Sequence, residues 1–149
     1  MPTIEADRPI VLVTAVVLLD RNDRNDRILI SRRPQNKPMA GLWEFPGGKL
    51  NSGENDAACL QRELQEELGI QASIGAELYR TCHTYSTGSS VALTFFHIPA
   101  FQGQLVNHVF ETLVWVKPAQ LPQYDFLEGN VGFVTRLAQG HWKSLFSRQ

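Results

Sequence analysis

Cysteine is scarce in this chain, with two in 149 residues. Cys59 and Cys82 lie far apart and form no CxxC motif, so no disulfide framework is built on them, and both read as reduced, structural thiols of a cytoplasmic protein. Long apolar segments are lacking too. The run Ile10–Leu19 is too short to cross a bilayer as a helix. Asp7 precedes it, Asp20-Arg21-Asn22-Asp23 follows, and no small-residue cleavage site is apparent, so no secretory signal is expected. Neither sign of charge is in excess. Fourteen basic and fifteen acidic residues leave a net charge of −1, which gives no general attraction to nucleic acid or to an anionic membrane. Linkers, low-complexity tracts and composition breaks are absent as well, so residues 1–149 read as one domain, large enough to bury roughly two-thirds of its unfolded surface.

What is present is an alternation of strand-like and helix-like segments. Ile10–Leu19 is rich in β-branched residues and reads as a buried strand. The repeated triplet in Arg21-Asn22-Asp23-Arg24-Asn25-Asp26 reads as a polar hairpin turn, and Arg27–Arg33 as the returning strand. Pro34–Ala40 is then a loop. Further strands are expected near Ile74–Ser86, Val91–Phe101 and Glu111–Val116, a short turn at Pro118–Leu121, and a helix over Val131–Ala138.

The most informative stretch begins at Gly47-Gly48. Glycines here and at Asn51-Ser52-Gly53 mark a backbone that bends tightly before a helix, with Asn55 as its N-cap and Gly69 as its stop. Residues three and four apart share a helical face, so Glu63 and Glu67 stack nearly one above the other with Glu66 beside them. Ala57, Leu60, Leu64 and Leu68 form a neighbouring apolar stripe that faces a core. Like charges this close repel, and a hard divalent cation removes the conflict because Mg²⁺ takes carboxylate oxygens. A solvated acidic face is the plainer reading of the same pattern.

The frame around the glutamates separates these readings. Gly48, five residues, Glu54, seven residues, then Arg62-Glu63-Leu64-Gln65-Glu66-Glu67-Leu68-Gly69-Ile70 is similar at every fixed position to the signature of the Nudix hydrolases. Arg32-Arg33-Pro34 and Gly41-Leu42-Trp43-Glu44-Phe45-Pro46-Gly47-Gly48-Lys49 resemble the MutT-type branch, which cleans oxidised nucleotides from the pool. The resemblance implies an α/β fold, the Nudix α/β/α sandwich with a mixed β-sheet.

It also implies a site. Glu63, Glu66 and Glu67, joined by the carbonyl of Gly48, match the family's metal ligands, with Mg²⁺ the expected cofactor and Mn²⁺ a substitute. Arg62 is expected to hold the glutamates. Glu54 is a residue that supports the metal ligands without touching the ion, an added ligand, or a favourable charge near the helix N-terminus. Glu63 is the candidate general base, and Glu111, ahead of Val114-Trp115, is the alternative and a further metal ligand. His83 and His108 are read as structural. Arg33, Glu44, Phe45 and Asn130 are the expected substrate contacts, Asn130 reading the base unless it caps the last helix. The departure from the branch is there: its usual proline-rich surroundings are missing, and Gly129 and Gly132 bracket the asparagine. The implied activity is metal-dependent pyrophosphohydrolysis of a nucleoside triphosphate. The favoured substrate is 8-oxo-dGTP, yielding 8-oxo-dGMP and pyrophosphate. The alternatives are CTP or a methylated cytidine triphosphate, and a module that recognises an oxidised base without catalysis. A monomer is expected, with neither nucleic acid nor membrane as partner.

Overall fold

The computed structural model describes residues 10–17 and 27–146. The expected polar turn at residues 21–26 lies outside them. Strand β1, Ile10–Val17, pairs in parallel with β7, Ser90–Ile98, and antiparallel with the short β4, Gly47–Lys49. Strand β6, Glu77–Thr84, completes a mixed sheet of order β4-β1-β7-β6. A second sheet, β3-β2-β9, joins Trp43–Glu44, Ile28–Arg32 and Thr112–Val116, and a two-stranded ribbon joins β5, Gln71–Ser73, to β8, Ala100–Gln102.

Two helices cover the sheets from opposite sides, and the side-chain alternation of β2 shows why. Successive strand residues point to opposite faces. Ile28 and Ile30 enter the core containing Phe133, Val134 and Leu137 of helix α2, Glu128–Ala138. Leu29 enters the other core, with Leu60, Leu64 and Leu68 of helix α1, Asp56–Leu68. Strand β7 divides likewise: Leu93 and Phe95 face the α2 side and Ile98 the α1 side. The expected α/β/α layering with a mixed sheet is therefore present. The expected stripe on α1 is buried at Leu60, Leu64 and Leu68, with Cys59 beside them. Asn55 caps this helix, its Oδ1 accepting from Ala58 N at 2.8 Å, and Gly69 ends it in the left-handed conformation at φ 69°.

Several boundaries differ from expectation. Helix α2 begins at Glu128 rather than Val131, and its N-cap is Leu127, with no side-chain cap. Asn130 therefore lies inside the helix and does not cap it. The glycine bend at Gly47-Gly48 is also a strand, because β1 offers it an edge: Val13 pairs with Gly48. Pro118–Gln123 forms a short 3-10 helix in place of a turn, and a final helix α3 spans Lys143–Phe146.

Candidate active site

Strand β4 and helix α1 approach so closely that position 48 has room for glycine alone. A Cβ there would run into Cδ and Oε2 of Glu63. Glu67 lies on the same face one turn later and accepts from Gly47 N at 3.2 Å. The two carboxyl groups, with Gly47 and Gly48, line one wall of a cleft of about 270 Å³. Burial, then the neighbouring Glu63, pushes the Glu67 carboxyl far above the ordinary range, to about 9, so Glu67 holds a proton that Glu63 shares. A hard cation can replace that proton, which is the fit such a metal requires here.

Arg62 organises the remaining acids. Its Nε and Nη2 grip both oxygens of Glu54 at 2.7 and 2.9 Å, its Nη1 meets Glu63 Oε1 at 2.6 Å, and Nη2 also donates to Lys49 O at 3.2 Å. This bidentate clamp, helped by Asn51 N, holds the Glu54 carboxyl down at about 2. Glu54 thus serves as the anchor of Arg62. Glu66 stands apart. Its side chain is 59 % exposed, does not line the cleft, and meets Arg62 Nη1 at 3.5 Å. Among the described residues no three of these acids, or other ligating side chains, are grouped as a ready metal cluster. The structure therefore brings Glu63, Glu67 and Gly48 together and leaves Glu66 at the rim. The Cys59 thiol lies below β4, its Sγ 3.4 Å from Lys49 O, and burial raises its pKa to about 11, which keeps it neutral.

The opposite wall holds Arg33, Lys37, Glu44 and Phe45. Arg33 Nη1 donates to both oxygens of Glu44 at 3.2 Å, and its Nε to Pro38 O at 2.8 Å. Burial raises the pKa of Glu44 against the opposing pull of Arg33. Asn130 is 3 % exposed and does not line the cleft. It lies in the first turn of α2; Phe126, just before the helix, and Phe133, within it, both pack on Phe45 with ring centroids 5.4 and 5.5 Å away. The entry to α2 is fixed there by Trp43 N donating to Asp125 O and Leu127 N to Trp43 O. Asn130 Oδ1 meets no hydrogen-bond donor among the described residues. Buried amide oxygens are rarely left so.

Glu111 is exposed on the segment before β9 and does not line the cleft. His83 pairs with Glu128 at 3.2 Å, and His108 packs near Gly69; neither reaches the cleft. Leu12, Thr14, Pro34 and Lys49 line it too, and so do Lys37, Val109 and Phe110 of the loops. Sequence reasoning did not single out Lys37, Val109 and Phe110, since loop positions carry no periodicity.

Comparison with known proteins places the chain in a family. Residues 15–136 match the model of the NUDIX domain. A CTP pyrophosphohydrolase of Escherichia coli is 38% identical over 109 residues, 73% of this chain and 80% of that protein. A protein of Mycobacterium tuberculosis described as a putative 8-oxo-dGTP diphosphatase 2 is 30% identical over 128 residues, 86% of this chain and 91% of its own length. The solution structure of the Escherichia coli ORF135 protein superposes with a TM-score of 0.78 at 31% identity, covering 94% of this chain and 96% of that one.

Proposed function

The chain belongs to the Nudix family and acts on nucleotides as a pyrophosphohydrolase, and from that premise we propose that its preferred substrate is 8-oxo-dGTP. The observation that supports this base is the buried, unpartnered Asn130 Oδ1. Oxidation of guanine at C8 turns N7 from an acceptor into an N–H donor while O6 stays an acceptor. One carboxamide satisfies both edges, the oxygen taking N7–H and the NH₂ donating to O6. Unoxidised guanine would face that oxygen with a lone pair, a buried mismatch costing about 1–3 kcal/mol.

The chemistry follows from the cleft. Nudix hydrolases generally need a divalent metal; Gly48 O, Glu63 and Glu67 would hold it, with Glu66 turning in from the rim. When bound, such an ion neutralises phosphate oxygens and acidifies water. Glu63 lines the cleft and Glu111 does not, so Glu63 is the acceptor for the proton of the attacking water. The water oxygen bonds to the β-phosphorus, the bond from that phosphorus to the oxygen it shares with the α-phosphate breaks, 8-oxo-dGMP leaves with that oxygen, and the β- and γ-phosphates depart together as pyrophosphate. Arg62, clamped on Glu54, keeps Glu63 oriented through the step. Arg33 Nη2 stays available to substrate while Nη1 and Nε fix Glu44 and the loop.

Cytidine triphosphates are the second reading. The Escherichia coli relative named for CTP favours it, and the cytosine amino group is also a donor for Asn130 Oδ1. The deciding experiment compares kcat/KM for 8-oxo-dGTP, dGTP, CTP and 5-methyl-dCTP with Mg²⁺ and with EDTA, detecting monophosphate and pyrophosphate. A preference for 8-oxo-dGTP that disappears in EDTA is expected. A preference for CTP would overturn the base assignment, and turnover undiminished by EDTA would overturn the metal site.

A further inference from the structure

The loop between β2 and β3 is built more firmly than its composition suggests. Arg33 N donates to Leu42 O at 2.9 Å and Gly41 N to Arg33 O at 3.0 Å, closing its base. Both arginine side chains then reach into it. Arg32 Nε donates to Gly41 O at 3.0 Å and Arg33 Nε to Pro38 O at 2.8 Å. A turn with Lys37 N donating to Pro34 O at 3.2 Å and a left-handed Met39 at φ 57° set the tip. Two guanidinium groups therefore spend donors on loop carbonyls, and the side chain this brings to the cleft wall is Lys37.

The charges in the cleft then have distinct duties. Arg33 is largely neutralised by Glu44, and Glu63 and Glu67 occupy the opposite wall. Lys37 makes no ion pair among the described residues. A compact ammonium on a flexible stem suits a phosphate as a point charge, whereas the Arg33 guanidinium has Nε and Nη1 engaged and keeps only Nη2 for a ligand. The chain has no net positive charge to draw a polyphosphate, so a local cation must supply the attraction.

We propose that Lys37 is a substrate-binding residue that contacts the terminal phosphates of the nucleotide, so that the enzyme distinguishes triphosphates from diphosphates through this one loop cation. The proposal rests on the nucleotide pyrophosphohydrolase reading and is independent of which base is preferred. Arg32 and Arg33 act on it as positioning residues through the loop carbonyls.

Lys37→Ala and Lys37→Arg are to be compared with the unmodified protein, using 8-oxo-dGTP and CTP as substrates and 8-oxo-dGDP, CDP and inorganic tripolyphosphate as competitive inhibitors. Loss of one charge-assisted contact to a partly exposed phosphate predicts a rise of about tenfold in KM for triphosphates in the Ala variant. The inhibition constant of tripolyphosphate should rise in parallel. Values of kcat and melting temperature should stay near those of the unmodified protein, diphosphates should weaken by less, and Lys37→Arg should restore most of the affinity. Unchanged KM for triphosphates overturns the proposal, as does an equal loss for triphosphates and diphosphates. If the base preference proves to be CTP, the same comparison on CTP and tripolyphosphate still decides the role of Lys37.

Discussion

Replacing Glu67 with glutamine tests how the cleft is balanced without a metal. The folded-state pKa of Glu67 lies well above the ordinary 4.5, so the folded protein keeps a proton that the unfolded chain releases. The contribution of Glu67 to metal-free stability is then fully present below that ordinary value and is lost as pH rises toward about 9. Thermal melts in EDTA across this window should show the decline, and Glu67→Gln should flatten it while melting at an equal or higher temperature. A variant that melts lower at pH 9 than the unmodified protein would contradict the arrangement of Glu63 and Glu67. Asn130 carries a different prediction. If its amide reads O6 and N7–H together, Asn130→Ala loses two hydrogen bonds of about 1–1.5 kcal/mol each, a selectivity loss for 8-oxo-dGTP over dGTP of roughly 30- to 150-fold in kcat/KM. An unchanged ratio of the two rates would remove the residue from base recognition. The charge pattern of α1 was legible because helical spacing alone aligns Glu63 with Glu67. The role of Glu54 was not, since its clamp on Arg62 closes across the bend before the helix.

Elements with their own signals were read closely, and those made by their neighbours were not. Helix α1 carries a cap, a stop and an apolar stripe, and all three appear where the pattern puts them. Helix α2 has no side-chain cap, and glycines at 129 and 132 weaken its propensity. Its first turn is set instead by Trp43 and by Tyr85, whose hydroxyl accepts from Gly129 N at 3.4 Å, and contacts so distant in sequence leave no local trace. The strands of two or three residues at β3, β4, β5 and β8 are too short for alternation to reveal. The division of faces on α1 is itself testable. Leu64 is fully buried, so Leu64→Ala should cost about 2–5 kcal/mol by chemical denaturation. A cost near zero would mean that the stripe does not anchor the helix.

The molecule as a whole gathers its cleft from widely spaced segments: Leu12 and Thr14 of β1, the loop with Lys37, strand β4, helix α1, and Val109 with Phe110. Fold class was legible through the family resemblance that the residues around α1 carry, whereas the part of the cleft made by Val109 and Phe110 was not, because it is loop. That loop is also fastened to helix α1. Val106 N donates to Leu68 O at 2.9 Å and His108 N to Glu67 O at 3.0 Å, so two amides of the loop satisfy the last carbonyls of α1. The exchange of these two protons with deuterium therefore reports on the catalytic helix from outside it. Filling the cleft with nucleotide and metal should slow exchange at Val106 and His108 together, while the amide of Gly88, which donates to Tyr85 O at 2.9 Å in the turn after β6, keeps its rate. The loop is in effect a built-in probe, one that registers whether the site is engaged without any label near the chemistry.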